Sequence, residues 1–158
     1  LEAEAIRDSA LAVSGELDFS TGGPSVPPQR EESALRRTLY LSQRRSEMPD
    51  AMTLFDSPEP VSSCQRREVS TVALQPLYLL NSDFVLKRAE AFAARVAREA
   101  GEKPNDRVVA AFRLALGRAP EPDETTKALA FLSAGEAETS LVHFCHALLN
   151  LNEFVYLP

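Results

Sequence analysis

"NSDFVLKRAEAFAARVAREAG", Asn81 to Gly101, decides the fold class. Its apolar residues Val85, Ala89, Phe92 and Val96 recur every three to four positions, the period of one helix face. Asn81 or Ser82 stands where an N-cap oxygen is needed, and Gly101 stands where a helix stops. The spacing predicts a helix from Asp83 to Ala100.

The pattern continues towards the C-terminus. Val108, Phe112 and Leu116 line a further helix, capped by Asn105 and ended by Gly117. "APEPDETTKALAFLSAG", Ala119 to Gly135, places Pro122 near a first turn and acids beside the positive helix end. That helix buries Leu129 and Leu132 and stops at Gly135. A last helix, from about 136 to 150, carries Leu141, Phe144, Cys145, Leu148 and Leu151 on one face. Joints this short imply antiparallel packing. Towards the N-terminus, Pro76 opens a short helical turn carrying Leu77, Leu79 and Leu80. "LEAEAIRDSALAVSG", Leu1 to Gly15, is a helix with a C-terminal glycine cap.

Between these helices the text changes. From Glu16 to about Glu32 it is rich in Gly, Pro and Ser, and Pro24, Pro27 and Pro28 disfavour helix. Residues 35–45, "LRRTLYLSQRR", lean towards a strand, although Leu35 and Leu39 also fit a helix. "MPDAMTLFDSPEPVSSCQRREVSTVALQP" is a second long irregular stretch, pinned to the body by Met52, Leu54 and Phe55. An irregular loop of that length is functional or a surface wrap. The fold expected is mainly α, a small helical bundle with long irregular loops wrapped on it and at most a minor β element. It forms a single domain over 1–158: an N-terminal helix (1–15), a mostly irregular arm (16–75) and the bundle (76–158).

A net charge of −6 argues against nucleic acid as a partner. Basic residues cluster at Arg36, Arg37, Arg44, Arg45, Arg66 and Arg67 among acidic neighbours, which points to local salt bridges. No apolar run is long enough to span a membrane. There is no initiator Met and no signal-like segment, and the chain opens inside a helical pattern at Leu1. It reads as a fragment of a longer protein.

Candidate chemistry is thin. "STGGPS", Ser20 to Ser25, has the glycines of a phosphate loop, but Pro24 removes a donor and no Lys or helix start follows. A tight turn is the expectation, with Gly22 and Gly23 at positive φ. "HFCH" places His143 and His146 within reach of one metal, and Glu153 near the same face, yet a zinc site wants three or four ligands. No metal and no cofactor is expected. Arg7 with Asp8 reads as a cap or salt bridge. Cys64 and Cys145 either pair or stay as free buried thiols. The residues that gather polar, turn-rich text are Asp18, Arg36, Arg37, Asp56, Arg66 and Arg67, as a cleft or as loop clamps. At least one of these arginines is expected to pair with Asp18, Asp56 or Glu59, since the guanidinium fork suits a carboxylate.

Three ordered phrases extend the reading. They are "AEAIRDSALAVSGELD" with "GGPSV"; "RRTLYL" with "LFDSPEP" and "SCQRREVSTVALQPLYLLNSDFV"; and "AFRLALGRAPEPDE" with "ALLNLNEFVYLP". Together they resemble the PSD-type C-terminal domain of unknown function in large planctomycete and verrucomicrobial proteins. This chain reads "ALQPL" at Ala73 to Leu77 where the family usually has "ALQAL", which shifts where a helix begins. The resemblance implies an exported protein, periplasmic or on the cell surface. It implies the preceding domain of the same polypeptide as a partner, with a c-type cytochrome domain as a further one. An oxidising compartment would favour a Cys64–Cys145 disulfide. The resemblance supplies no catalytic residue. Two functions follow: a non-catalytic accessory or interaction domain, or part of a polysaccharide hydrolase with the six residues above in one cleft.

Overall fold

The structure is a computed structural model that describes residues 1–44, 48–61, 63–67 and 70–156. Among them are eight α-helices: α1 (Ala3–Ser14), α2 (Asp50–Leu54), α3 (Leu74–Asn81), α4 (Asp83–Ala100), α5 (Pro104–Leu116), α6 (Pro122–Ser133), α7 (Ala137–Leu149) and α8 (Asn152–Val155). Two 3₁₀ turns, Pro28–Ser33 and Thr38–Tyr40, lie in the arm. No strand forms among the described residues; isolated parallel bridges join Asp18 with Arg36 and Val26 with Leu41.

The bundle is built around α4, which packs most extensively on α7 and next on α1. Phe92, Ala89 and Val96 of α4 are fully enclosed, with Leu11 of α1, Val108 of α5, and Cys145 and Leu149 of α7. The predicted caps hold at α4: the Ser82 hydroxyl accepts the Val85 N–H, and Gly101 ends the helix at φ 72°. Gly15 and Gly117 close α1 and α5 in the left-handed region. Pro122 opens α6 behind a capping box of Glu121 and Glu124.

Several expectations need correction. Lys103, not Asn105, is the N-cap of α5, because Pro104 fits the first helical position, where its missing N–H costs nothing. The C-terminal helix breaks at Asn150, and Leu151 faces solvent as the cap of a separate turn, α8. Leu129 and Leu132 are only half-buried; Ala128 is the residue of α6 that the core encloses. Residues 35–44 are neither strand nor α-helix but a 3₁₀ turn between bridges. Arg45 lies outside the described residues.

The arm is pinned by a small second cluster in which Ala3, Ala51 and Met52 are buried, with Phe55 and Tyr78 against it. Phe55 also touches the main core and meets Tyr78 edge-on at 6.0 Å, yet it stays half-buried. Met52 is the residue that disappears from solvent.

Candidate functional site

The six candidate residues divide into two groups. Asp18, Arg36 and Arg37 belong to the first loop. The Asp18 carboxylate accepts the Ser20 N–H at 2.8 Å and the Ser20 hydroxyl at 2.9 Å, and these bonds hold it below the usual carboxylate range. The Arg36 guanidinium donates to the carbonyls of Pro24 (3.0 Å), Ser20 (3.4 Å) and Gly22. It stacks 3.7 Å from the centre of the Tyr40 ring, and the Tyr40 hydroxyl accepts the Gly22 N–H at 3.0 Å. Gly22 and Gly23 take φ of 79° and 84° to make this turn. A phosphate loop points its N–H groups inward. This loop points carbonyls inward, at the Arg36 guanidinium, so it lacks the geometry of a phosphate loop. Arg37 is half-exposed, 3.5 Å from Asp8.

Asp56, Arg66 and Arg67 line a different feature, an open hollow of about 830 Å³ shared with Glu59 and Cys64. Asp56 sits at φ 58°, a left-handed conformation that Asp tolerates better than most residues. Its carboxylate closes the neck of the loop, accepting the Ser70 N–H at 2.6 Å and the Ser70 hydroxyl. Arg67 makes a fork to Glu4 at 2.7 and 3.0 Å, with Glu2 at 3.5 Å. Arg67 therefore lowers the Glu4 carboxyl. Among the described residues none of the four arginines pairs with Asp18, Asp56 or Glu59. Two of them, Arg37 and Arg67, take their acids from α1 and its N-cap, because that helix lies under the arm and offers Glu2, Glu4 and Asp8. These salt bridges are therefore long-range and not local.

The strongest polar constellation is built on Arg7 and Asp8, which the sequence reads as a cap or salt bridge; they do stand 3.9 Å apart as an ion pair, but their bonds to the arm lie beyond that reading. Arg7 is 3% exposed. Its guanidinium donates to the carbonyls of Arg36 (3.0 Å), Glu31 (3.1 Å) and Ala34 (2.6 Å), and to the Thr38 hydroxyl (3.2 Å). Beside it, Asp8 accepts the Thr38 N–H at 2.7 Å and the Thr38 hydroxyl at 2.6 Å. One turn of α1 thus grips residues 31–38 through donors and an acceptor at once. Burial pulls the Arg7 guanidinium below its ordinary value. Arg7 and Arg88 both stand over the Phe84 ring, at 5.2 and 5.3 Å. Buried Arg88 meets Glu16 at 2.8 Å as an ion pair. Glu31, half-buried near Arg7, is pushed up to about 7 by burial, with Asp50 and Glu32 adding to the effect.

At the far end of the bundle Arg118 forks to Glu124 (2.7 and 2.9 Å) and to Glu153 (2.6 and 2.7 Å), joining the α5–α6 joint to α8. Arg118 pushes Glu124 down to about 2 and lowers Glu153. Glu153 is therefore a staple residue and is turned away from the role considered for it beside the histidines. His146 Nε2 lies 3.0 Å from the Leu79 carbonyl, which Asn150 also caps at 3.3 Å. Among the described residues no three His, Cys, Asp or Glu side chains gather as metal ligands. Both thiols are free: Cys145 is in the core, where burial pushes it up, and Cys64 is exposed on the loop. The pairing that an oxidising compartment would favour is not formed, and Cys64 is not the buried thiol of the other alternative.

Chemically, this arrangement holds loops. The carboxylates of Asp18 and Asp56 are occupied by N–H and hydroxyl donors, and the guanidinium groups of Arg36 and Arg67 by carbonyls and acids. Neither group includes a histidine. The model of the family described as PSD1, protein of unknown function (DUF1553), matches residues 1–132. The chain belongs to this family. The match covers α1, the whole arm and the helices up to α6, so the Arg7–Asp8 grip and both candidate loops lie inside the PSD1 region, while α7 and α8 lie beyond it. No curated protein and no solved structure matches the chain.

Proposed function

We propose that this PSD1 domain is a non-catalytic accessory or interaction domain of a larger exported protein, and that it docks onto the preceding domain of the same polypeptide. A c-type cytochrome domain is the next partner in this reading. One observation carries it. Leu74, Leu77 and Leu80 of α3 are 62%, 51% and 50% exposed, at successive i, i+3 positions on a helix that has no charged residue. A lone exposed leucine needs no explanation, but a row of them on a firmly held helix suits a contact surface. The occupied state of Asp18, Asp56, Arg36 and Arg67 supports the same reading over the hydrolase alternative.

The test is direct titration of this chain with the separately produced preceding domain, followed by calorimetry. Saturable binding is the expected result. Sugar release from a polysaccharide by the purified chain, lost on Arg66→Ala, would contradict the reading. Arg66 lines the loop hollow, and among the described residues its guanidinium makes no ion pair.

A further inference from the structure

The first loop contains a segment that is fixed at both ends and acidic in the middle. Upstream, the Val26 N–H donates to the Tyr40 carbonyl and the Val26 carbonyl accepts the Ser42 N–H, both at 2.8 Å. Downstream, the Asp8 carboxylate holds Thr38 by its N–H and its hydroxyl. Between these two points lies the 3₁₀ turn Pro28–Ser33. Its internal bonds travel with it: the Arg30 N–H donates to the Pro27 carbonyl at 3.0 Å, and the Ala34 N–H to the Glu31 carbonyl at 3.2 Å. Arg7 fastens the turn to α1 through the carbonyls of Glu31 and Ala34.

The charges around this turn are unbalanced. An open hollow of about 510 Å³ lies between it and the start of α2. Glu31 and Glu32 line the hollow from the turn, Asp50 from α2 and Lys87 from α4. Two segments of the arm therefore bring three carboxylates to one place, against a single exposed ammonium group. Glu31 is the half-buried one of the three; Glu32 and Asp50 are exposed. Arg7 of α1 attracts Glu31, but its NH1 and NH2 groups are spent on carbonyls and on the Thr38 hydroxyl. From α3, the half-buried Tyr78 hydroxyl is pushed up to about 12 by burial, with Glu31 and Glu32 adding to the effect, so it brings no positive charge.

We infer that the turn Pro28–Ser33 is a pH-governed flap, closed on α1 while Glu31 keeps its proton and opened between Val26 and Thr38 when that carboxylate ionises beside Glu32 and Asp50. Closure strips water from the Glu31 carboxyl and holds it near two like charges; opening returns the water and relieves the repulsion. Burial is the larger of these effects, and together they hold Glu31 at about 7 in the closed form. In the open form it returns to its ordinary 4.5. The closed form is thus favoured at low pH, and its advantage is lost as pH rises through about 7. Opening uncovers the Arg7 guanidinium on the side of the flap, while its bonds to Arg36 and Thr38 stay in place. The bundle is undisturbed.

The experiment is amide hydrogen exchange on this chain at pH 6 and pH 8, each rate divided by the intrinsic rate at that pH. The wild type is compared with Glu31→Gln and Asp50→Asn, and circular dichroism reports that each is folded. Between the two pH values, protection at the Arg30 and Ala34 amides should fall about tenfold, the factor set by moving one carboxyl between 4.5 and about 7. The Val26 and Ser42 amides should keep their protection. Glu31→Gln should abolish the pH dependence, and Asp50→Asn should weaken it. Protection at Arg30 and Ala34 that is the same at both pH values would overturn the flap. A fall that survives Glu31→Gln would overturn Glu31 as its trigger. A fall shared by Val26 and Ser42 would mean that the whole loop opens, and would overturn the two fixed ends.

Discussion

The first half of the arm, residues 17–44, and the bundle are held by different physics. In the bundle, Phe92, Val96, Val108 and Leu149 are packed together by apolar area, which is non-directional and spread over many contacts. In the arm, residues 17–44 bury almost nothing comparable beyond Leu41 and Thr38. They are held by a few directed bonds from Arg7, Asp8, Arg36 and Tyr40. A core of area degrades gradually and locally when one side chain is trimmed. A grip made of directed bonds fails as a unit, because each lost donor leaves buried carbonyls unpaired.

That contrast can be broken most forcefully in the core. Phe92→Ala should destabilise the whole domain by about 3–5 kcal/mol, since the side chain is fully enclosed. Chemical denaturation should show one transition at a lower midpoint. Arg7→Met should cost about 3 kcal/mol, because it removes the donors to residues 31, 34, 36 and 38 while keeping much of the side-chain volume. If both regions were held by area, methionine would be tolerated at position 7 and the midpoint would hardly move.

The arm should also carry a pH signature. Glu31 is raised in the folded state from 4.5 to about 7 by burial. The folded protein prefers it protonated, so its contribution is fully present below the unfolded value and is lost as pH rises through about 7. Glu31→Gln should remove this loss, making the protein more stable than wild type at pH 8 by about 2 kcal/mol, a figure reduced for partial solvent contact. The lowered carboxyls of Glu4, Glu124 and Glu153 act oppositely: their contribution is present above the ordinary carboxylate range and lost as pH falls through their depressed values. Denaturation midpoints across pH separate the two windows. Phe55→Ala should have the smallest effect, about 1–2 kcal/mol, because the ring is half-buried and a full-burial cost does not apply. An effect as large as that of Phe92→Ala would mean that Phe55 is enclosed like a residue of the main core.

The difference also explains what was legible. The helices from Asp83 to Leu149 announce themselves because the residues that make them lie three or four apart, and their stops are single residues such as Gly101 and Gly117. The arm's turns depend on bonds from Arg7 to residues 24 to 31 positions away, which leave no local period. Arg7 in "EAIRDSA" reads as a cap or a salt-bridge partner of Asp8, and nothing local marks it as buried. Its burial shows only when the arm is laid across α1. The acidic partners of Arg37 and Arg67, which are Asp8, Glu4 and Glu2, lie on α1 and its N-cap, whose contact with the arm no spacing reveals. The break at Asn150 was hidden for another reason. Leu151 continues the apolar count of α7, and only the packing of Phe154 and Val155 shows that the chain turns there.

The measurement that reaches the centre of this account is native-state hydrogen exchange on Arg7→Met beside the wild type. The informative amides are Asp18, Val26, Thr38 and Ser42, bonded to Leu35, Tyr40, Asp8 and Val26 respectively. If the arm is gripped by directed bonds, these amides should exchange at least tenfold faster in the variant through a local opening. The α4 amides from Phe84 to Val96 should then lose no more protection than the global stability change requires. Equal loss of protection in arm and bundle would contradict the account, since it would mean that the two regions are held together by one shared core.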